Sequence, residues 1–253
     1  MDFGLRGQVL LITGGASGIG RGIAVAFAKQ GVHVALTYMS SAAGAAETVA
    51  EIESYGVSAL AMQADLTKED VVESVVAQTI ERFGKIDTLI TNSGGLLQRT
   101  SVQDCSLELW NQAFAVNVTS MFLCCRAVIP HMIKAGKGNI ITMSSLAAHN
   151  GGGAGATHYA ATKGAVLTFT RGLAKELGPK GIRVNGVAPG LIGTQFHDRF
   201  STAESRRNAV AQTPLGREGT PDDVAGVALF LASDNASFLT GETIEINGGQ
   251  GMY

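Results

Sequence analysis

Cysteine, proline and charge are all scarce in this chain. It has three cysteines, Cys105, Cys124 and Cys125. An odd count with two neighbours builds no disulfide framework, so free thiols in a reducing compartment are expected. Five prolines in 253 residues leave no proline-rich linker. Charged residues make up only 16%, with 19 basic against 21 acidic side chains. No cluster of Lys and Arg stands out, which argues against a nucleic-acid footprint or another polyanionic partner. No stretch approaches the roughly 18 consecutive apolar residues of a membrane span. The segment from Asp2 to Val9-Leu-Leu-Ile12 carries no secretory pattern, so a cytoplasmic protein without membrane contact is expected. His33, His131, His149, His158 and His197 are scattered without ligand spacing, and no metal is expected. What the chain has in excess is glycine: 33 residues, where average usage of about 7% would give about 18.

Short β-branched runs alternate with helix-length segments. Val9–Thr13, His33–Thr37, Ser58–Gln63, Thr88–Asn92, Asn139–Met143, Arg183–Val187 and Thr243–Ile246 read as seven strands. Between them, Arg21–Gln30, Ala42–Ser54, Lys68–Phe83 and Ser106–Ala135 repeat apolar residues at three and four, with Gly31, Gly56 and Gly84 near helix ends. Continuous apolar strands alternating with helices predict an α/β fold with a doubly wound parallel sheet and helices on both faces. The length suits one large domain spanning 1–253, and no linker or repeat divides it.

The first strand runs into Thr13-Gly-Gly-Ala-Ser-Gly-Ile-Gly20 and then a helix beginning near Arg21. Missing side chains and unpaired N–H groups at a helix start suit the pyrophosphate of a dinucleotide. A sharp turn could also use these glycines for geometry alone. Further on, Tyr159-Ala-Ala-Thr-Lys163 puts a phenol and an ammonium one helical turn apart. A nearby cation stabilises phenolate and would lower the phenol's pKa toward a useful acid-base range. Read alone, such a pair is most often an ordinary amphipathic spacing.

The TGxxxGxG turn, followed in order by further landmarks along almost the whole chain, resembles the short-chain dehydrogenase/reductase family, in its 3-oxoacyl-[acyl-carrier-protein] reductase and sugar dehydrogenase branch. The resemblance implies a Rossmann-type fold and hydride transfer between a nicotinamide cofactor and a ketone or secondary alcohol. It implies that Gly14, Ser17, Gly18, Ile19 and Gly20 cradle the pyrophosphate. Asp65 and Leu66, in Ala64-Asp-Leu66, would meet the adenine, although Asp65 before Thr67 also reads as a helix-start carboxylate. Asn92 and Gly94 stand for the family's Asn-Ala-Gly, here Thr91-Asn92-Ser93-Gly94, a departure because the family usually has two asparagines before Ala-Gly. Asn117, in Ala115-Val-Asn-Val118, would hold through its backbone a water linked to Lys163; a satisfied buried amide is the plainer reading. Ser145, rather than Ser144, would bond the substrate oxygen while Tyr159 moves the proton and Lys163 also contacts ribose. Ser145 could equally be a turn residue, and the interval to Tyr159 holds about one extra residue in the Gly151 loop. Pro189, Gly190, Ile192 and Thr194, in Val187-Ala-Pro-Gly-Leu-Ile-Gly-Thr194, would anchor the nicotinamide, and Pro189-Gly190 also reads simply as a turn.

An acid at the end of strand two would accept from a ribose 2′-hydroxyl and repel a 2′-phosphate. Tyr38 stands there, followed by Met39-Ser40-Ser41, so NADP(H) is preferred over NAD(H), with Tyr38 and Ser40 as contacts; Ser17, where NADP-preferring relatives often carry Arg, points the other way. Residues 190–213 form a polar excursion with Phe196, His197, Phe200, Arg206 and Arg207 that would cover the substrate. Gln98, Arg99, His149 and His158 are further pocket candidates. The expected substrate is a small polar ketone, such as a sugar or keto-deoxy sugar acid. The alternative is a 3-oxoacyl thioester on acyl carrier protein, although Gly136 and Lys180 stand where two carrier-docking arginines would be expected. A non-catalytic cofactor-binding sensor or scaffold is the alternative of another class. Trp110, Phe114, Val118 and Phe122 at spacing four suggest a helix shared between subunits, and relatives imply a homotetramer.

Overall fold

The computed structural model describes residues 3–253; Met1 and Asp2, where the sequence reading of the amino terminus begins, lie outside the described residues. Seven strands form one sheet: β1 Val9–Ile12, β2 His33–Tyr38, β3 Ala59–Gln63, β4 Thr88–Thr91, β5 Gly138–Met143, β6 Ile182–Pro189 and β7 Thr243–Ile246. Every neighbouring pair is parallel and the order is β3-β2-β1-β4-β5-β6-β7. The expected doubly wound α/β fold is therefore present. Its connections reverse direction between β1 and β4, the point at which such sheets open a crevice at the strands' carboxyl ends.

The helices are α1 Gly18–Lys29, α2 Ala42–Ser54, α3 Glu69–Phe83, α4 Leu107–Phe114, α5 Ser120–Ala135, α6 Ala147–Asn150, α7 Thr157–Leu177, α8 Gln195–Phe200, α9 Ala203–Ala211 and α10 Pro221–Ala232. Because side chains alternate across a strand, β1 to β6 each feed two cores. Leu10 and Ile12 of β1, Leu36 of β2 and Ile90 of β4 pack with Ile23 and Phe27 of α1, Ile52 of α2 and Leu229 of α10. Leu11, Ala35 and Leu89 point the other way, onto Val72 and Val76 of α3, Val128 of α5 and Leu173 of α7.

Two boundaries differ from expectation in ways that matter for the cleft. The helix expected from Arg21 begins at Gly18, so two glycines of the turn already belong to its first turn. Glycine is a poor helix former, and tertiary packing overrides that preference here. The segment expected as one helix over Ser106–Ala135 is broken by a π-helical stretch, Ala115–Thr119, where the Ser120 N–H donates to the Ala115 carbonyl five residues back. Such insertions often mark functional positions.

By length and composition the run Leu107–Ala135 is apolar enough to cross a membrane, which corrects the expectation that no stretch approaches one. Much of that apolar character faces protein, since Met121, Leu123, Cys124, Cys125, Val128 and Met132 are buried in the second core. All three cysteines are free thiols, and burial pushes the Cys124 thiol up to about 12, which makes it inert.

Candidate active site

One cleft of about 970 Å³ opens at the carboxyl ends of β1, β4, β5 and β6. Its floor at one end is the glycine turn. Gly14, at φ +67°, lies against the β4 loop: a Cβ there would come 3.0 Å from Asn92 Nδ2 and 3.1 Å from Ser93 Oγ. At Gly20 a Cβ would come 2.1 Å from the Gly14 carbonyl oxygen, so any side chain would push the helix off the strand. Ser17 caps α1 without a side-chain hydrogen bond, and the first turn of the helix holds no acidic residue. Its leading N–H groups therefore face the cleft with partial positive charge and no side-chain acceptor. This cradle fits the pyrophosphate of a dinucleotide.

The β4 loop is stitched to the turn. Asn92 Nδ2 donates to the carbonyls of Thr13 at 3.0 Å and Gly14 at 3.2 Å, and the Ser93 N–H donates to Thr13 Oγ1 at 2.8 Å. The departure from two asparagines has a local consequence: Thr91 Oγ1 is buried without a hydrogen-bond partner. Asn117, buried in the π-helical stretch, is fully engaged by its side chain. Its Nδ2 donates to the Gly95 and Ala113 carbonyls at 2.9 Å each, and its Oδ1 accepts from the Gly95 N–H at 2.9 Å. A Cβ at Gly94 would lie 2.4 Å from that Oδ1. The satisfied-amide reading of Asn117 thus holds for its side chain, and the backbone role is a separate matter.

Past the end of β5 the two serines diverge. Ser144 is buried and donates to the Lys163 carbonyl at 3.0 Å. The Ser145 hydroxyl accepts from the Ala147 N–H at 3.1 Å, donates to the Pro189 carbonyl at 3.4 Å, and exerts a downward pull on the pKa of the neighbouring Tyr159 phenol. Tyr159 stands near the start of α7 and lines the cleft. Lys163, one turn along, is buried; its Nζ sits 5.6 Å from the Tyr159 ring centroid and donates to the Met143 carbonyl at 2.8 Å.

Burial dominates the electrostatics of this pair. It pushes the phenol up to about 12, the Ser145 hydroxyl pulling the other way, and it pulls the lysine down to about 8. The expectation that Lys163 lowers the phenol's pKa is corrected in this arrangement. The ammonium is turned to the Met143 carbonyl and lies 5.6 Å from the ring centroid, and desolvation sets the direction of the phenol's shift.

Of the other expected cofactor contacts, Gly14, Ser17, Gly18, Ile19, Gly20, Tyr38, Asp65, Leu66, Asn92, Gly94, Pro189, Gly190, Ile192 and Thr194 all line the cleft. Ser40 does not; the exposed Met39 takes that place, with its carbonyl accepting from Gln63 Nε2 at 2.9 Å. Asp65 Oδ1 accepts from Thr67 Oγ1 at 2.6 Å and the Thr67 N–H at 3.1 Å, which holds its carboxyl below its ordinary range. The helix-start reading of Asp65 and its place in the cleft are both true.

The far end is formed by α8, α9, the Gly151 loop and the β4 loop. Phe196, 6.1 Å from Tyr159 between ring centroids, and Phe200 form an aromatic wall. Four pocket candidates from the sequence lie elsewhere. His158 is buried with Nε2 on the Leu96 carbonyl at 3.0 Å. His149 pairs with Glu245 at 3.0 Å and stacks on Tyr253. Gln98 and Arg207 are also absent from the lining, while Arg99, His197 and Arg206 are present. Sequence reading missed Leu97, Asn150 and Gln250, and it did not single out Arg199 and Gln212 within the expected 190–213 covering segment; all five are on the lining. These positions depend on loops meeting in space, which no local spacing announces.

The family model described as Enoyl-(Acyl carrier protein) reductase matches residues 14–250. A 3-oxoacyl-[acyl-carrier-protein] reductase of Synechocystis sp. is 38% identical over 250 residues, covering 98% of this chain and 99% of that protein. Among solved structures, a 7 alpha-hydroxysteroid dehydrogenase complexed with NADH and 7-oxo glycochenodeoxycholic acid superposes with TM-score 0.92 at 36% identity, covering 97% of this chain and 94% of that one. A short-chain type dehydrogenase/reductase from Mycobacterium ulcerans gives TM-score 0.92 at 31% identity, covering 99% of this chain and 91% of that one.

Proposed function

We propose, from the premise that this chain belongs to the short-chain dehydrogenase/reductase family of NAD(P)-dependent oxidoreductases, that it reduces a small polar ketone to a secondary alcohol. The observation that carries this reading is the Tyr159 phenol, on the wall of the same cleft as Ser145 and the glycine cradle, with Lys163 a turn away. When bound, the nicotinamide supplies a hydride to the ketone carbon, and the carbonyl π pair becomes a lone pair on oxygen. Ser145 and Tyr159 direct their hydroxyls at that oxygen, stabilise its developing charge, and Tyr159 delivers the proton. A phenol held near 12 stays protonated at neutral pH and is a competent donor to an alkoxide, which is a stronger base than phenolate. Lys163 holds positive charge below about pH 8 and contacts ribose hydroxyls. Asn117, in the π-helical stretch, would hold through its backbone a water that resupplies protons through Lys163. Gly14, Ser17, Gly18, Ile19 and Gly20 hold the pyrophosphate, Asp65 and Leu66 the adenine, and Pro189, Gly190, Ile192 and Thr194 the nicotinamide.

Both cofactors are accepted, with NADPH preferred. The support is the tyrosine, in place of a carboxylate, that ends β2. Arg21, on nearby α1, is tied to Glu47 and Glu51, and among the described residues no Arg or Lys lines that end, so the preference is modest. Asn150, Gln212 and Gln250 supply neutral hydrogen-bonding groups for a hydroxylated ketone, and residues 190–213 cover it. The 3-oxoacyl thioester reading is less well supported. Gly136 and Lys180 sit before β5 and β6, at the sheet's amino edge, opposite the cleft, and Gly136 fills a left-handed helix cap at φ +66°. The exposed Leu107, Trp110 and Phe122 on the α4–α5 run, with Phe114 and Val118 half-buried between them, support a homotetramer, which light scattering would test. The free thiols support a cytoplasmic setting. The deciding experiment for the function is a panel of ketones and alcohols run with NADPH and NADH. Turnover of small hydroxylated ketones supports the reading. Turnover of acetoacetyl thioester alone moves it to the acyl-carrier alternative, and tight cofactor binding without turnover anywhere fits a sensor.

A further inference from the structure

The substrate end of the cleft carries uncompensated positive charge. Arg99, Arg199 and Arg206 line it, whereas the only carboxylate on the lining among the described residues, Asp65, belongs to the nucleotide end. Arg206 is neutralised by Glu218 and Asp198, each at 2.5 Å. The two remaining arginines have no carboxylate partner among the described residues, and both are attached to Phe200. Arg99 Nε donates to the Phe200 carbonyl at 2.7 Å and Nη1 to the Ala154 carbonyl at 2.6 Å. The Arg199 guanidinium lies 5.0 Å from the Phe200 ring centroid.

Arg99 is positioned by construction. A Cβ at Gly153 would come 3.5 Å from its Nη1 and 3.9 Å from its Nη2, so the guanidinium lies against a glycine of the Gly151 loop. Leu97, two residues earlier, is the only non-glycine among the described residues at positive φ, +65°, a strained turn that precedes the reach to α8. Two of the five guanidinium N–H donors are engaged by neutral carbonyls, which orient the group without cancelling its charge. His197 on the same wall adds no charge at neutral pH, because burial and the neighbouring Arg206 and Arg99 hold it near 4.

We infer that the substrate is a ketone bearing an anionic group, carboxylate or phosphate, bound by Arg99 and Arg199 while Phe196 and Phe200 pack against its carbon chain. This rests on the carbonyl-reduction reading above and names the substrate class within it. The test uses matched pairs with the wild-type holoenzyme: straight-chain 2-, 3- and 4-oxo acids against their methyl esters, and dihydroxyacetone phosphate against dihydroxyacetone. The anion should win by at least about tenfold in kcat/KM in one of these sets, and the arm that wins separates carboxylate from phosphate. Arg99→Gln and Arg199→Gln should each cut that anion-to-neutral ratio by about tenfold, equivalent to about 1.4 kcal/mol. The Arg199 side chain makes no hydrogen bond to backbone among the described residues, so its variant tests charge without disturbing the Arg99 strap.

Calorimetric titration of the same anions onto the cofactor-loaded protein gives a readout independent of turnover. Arg-dependent anion binding without reduction of any ketone would sink the reductase reading while leaving an anion site. Ketone reduction with no anion advantage in any set, or equal losses for both members of a pair in the variants, would overturn the inference and leave the reductase reading standing.

Discussion

Replacing Asn117 by alanine removes three hydrogen bonds in one step. The side chain holds the Gly95 N–H and carbonyl and the Ala113 carbonyl, all at 2.9 Å. A net hydrogen bond contributes about 1 kcal/mol, and a buried group left unpaired costs about 1–3 kcal/mol. Gly95 is half-buried, so water can reach part of what is exposed, which places the sum near the lower bound, about 3 kcal/mol. With a urea slope of about 2–3 kcal/mol/M for a chain of this size, the midpoint should fall by roughly 1–1.5 M at unchanged slope. Asn117→Asp should be worse, because a carboxylate would face the Gly95 and Ala113 carbonyl oxygens. Equilibrium unfolding followed by far-UV circular dichroism measures both. A loss below about 1 kcal/mol for the alanine variant would refute the clamp, since it would mean that these three contacts are replaced at no cost.

Two further outcomes follow from the site. His197 is held near 4 in the fold against an ordinary value of 6.5, so between these pH values the unfolded chain binds the extra proton. Its contribution is therefore fully present above pH 6.5 and is lost as pH falls toward 4, by up to about 2 kcal/mol once partial solvent access is discounted. His197→Asn should flatten the stability profile in that window, and a His197 proton resonance titrating near 6.5 would contradict the burial argument. Tyr38→Asp places a carboxylate at the end of β2, where it should repel a 2′-phosphate and accept from a ribose hydroxyl. The NADPH-to-NADH ratio of kcat/KM should fall by about tenfold or more, and an unchanged ratio would place the ribose elsewhere.

Much of this molecule is legible in its sequence because local chemistry and tertiary structure agree. The seven apolar runs became seven parallel strands because strands buried on both faces need no alternation. The glycine turn was readable because several of its glycines answer a steric demand that any Cβ would violate. The pair Tyr159 and Lys163 was readable because four residues make one helical turn. What failed to show depends on partners distant in the chain. The π-helical stretch interrupts a run whose apolar spacing looks continuous, and only the Gly95 loop on Asn117 reveals it. His158, next to Tyr159 in sequence, turns inward to the Leu96 carbonyl instead of facing substrate. The direction of the Tyr159 shift also needed three dimensions, since spacing gives the lysine's proximity but not the burial that outweighs it.

The most direct test compares Tyr159→Phe with the native chain in two assays. NADPH binding, followed by its fluorescence, should change by less than about twofold, while ketone reduction should fall by about 10²–10⁴, the usual contribution of a positioned proton donor. Reduction within a few-fold of the native rate, with the cofactor bound as before, would show that the proton comes from some other group and that this reading of the cleft is wrong.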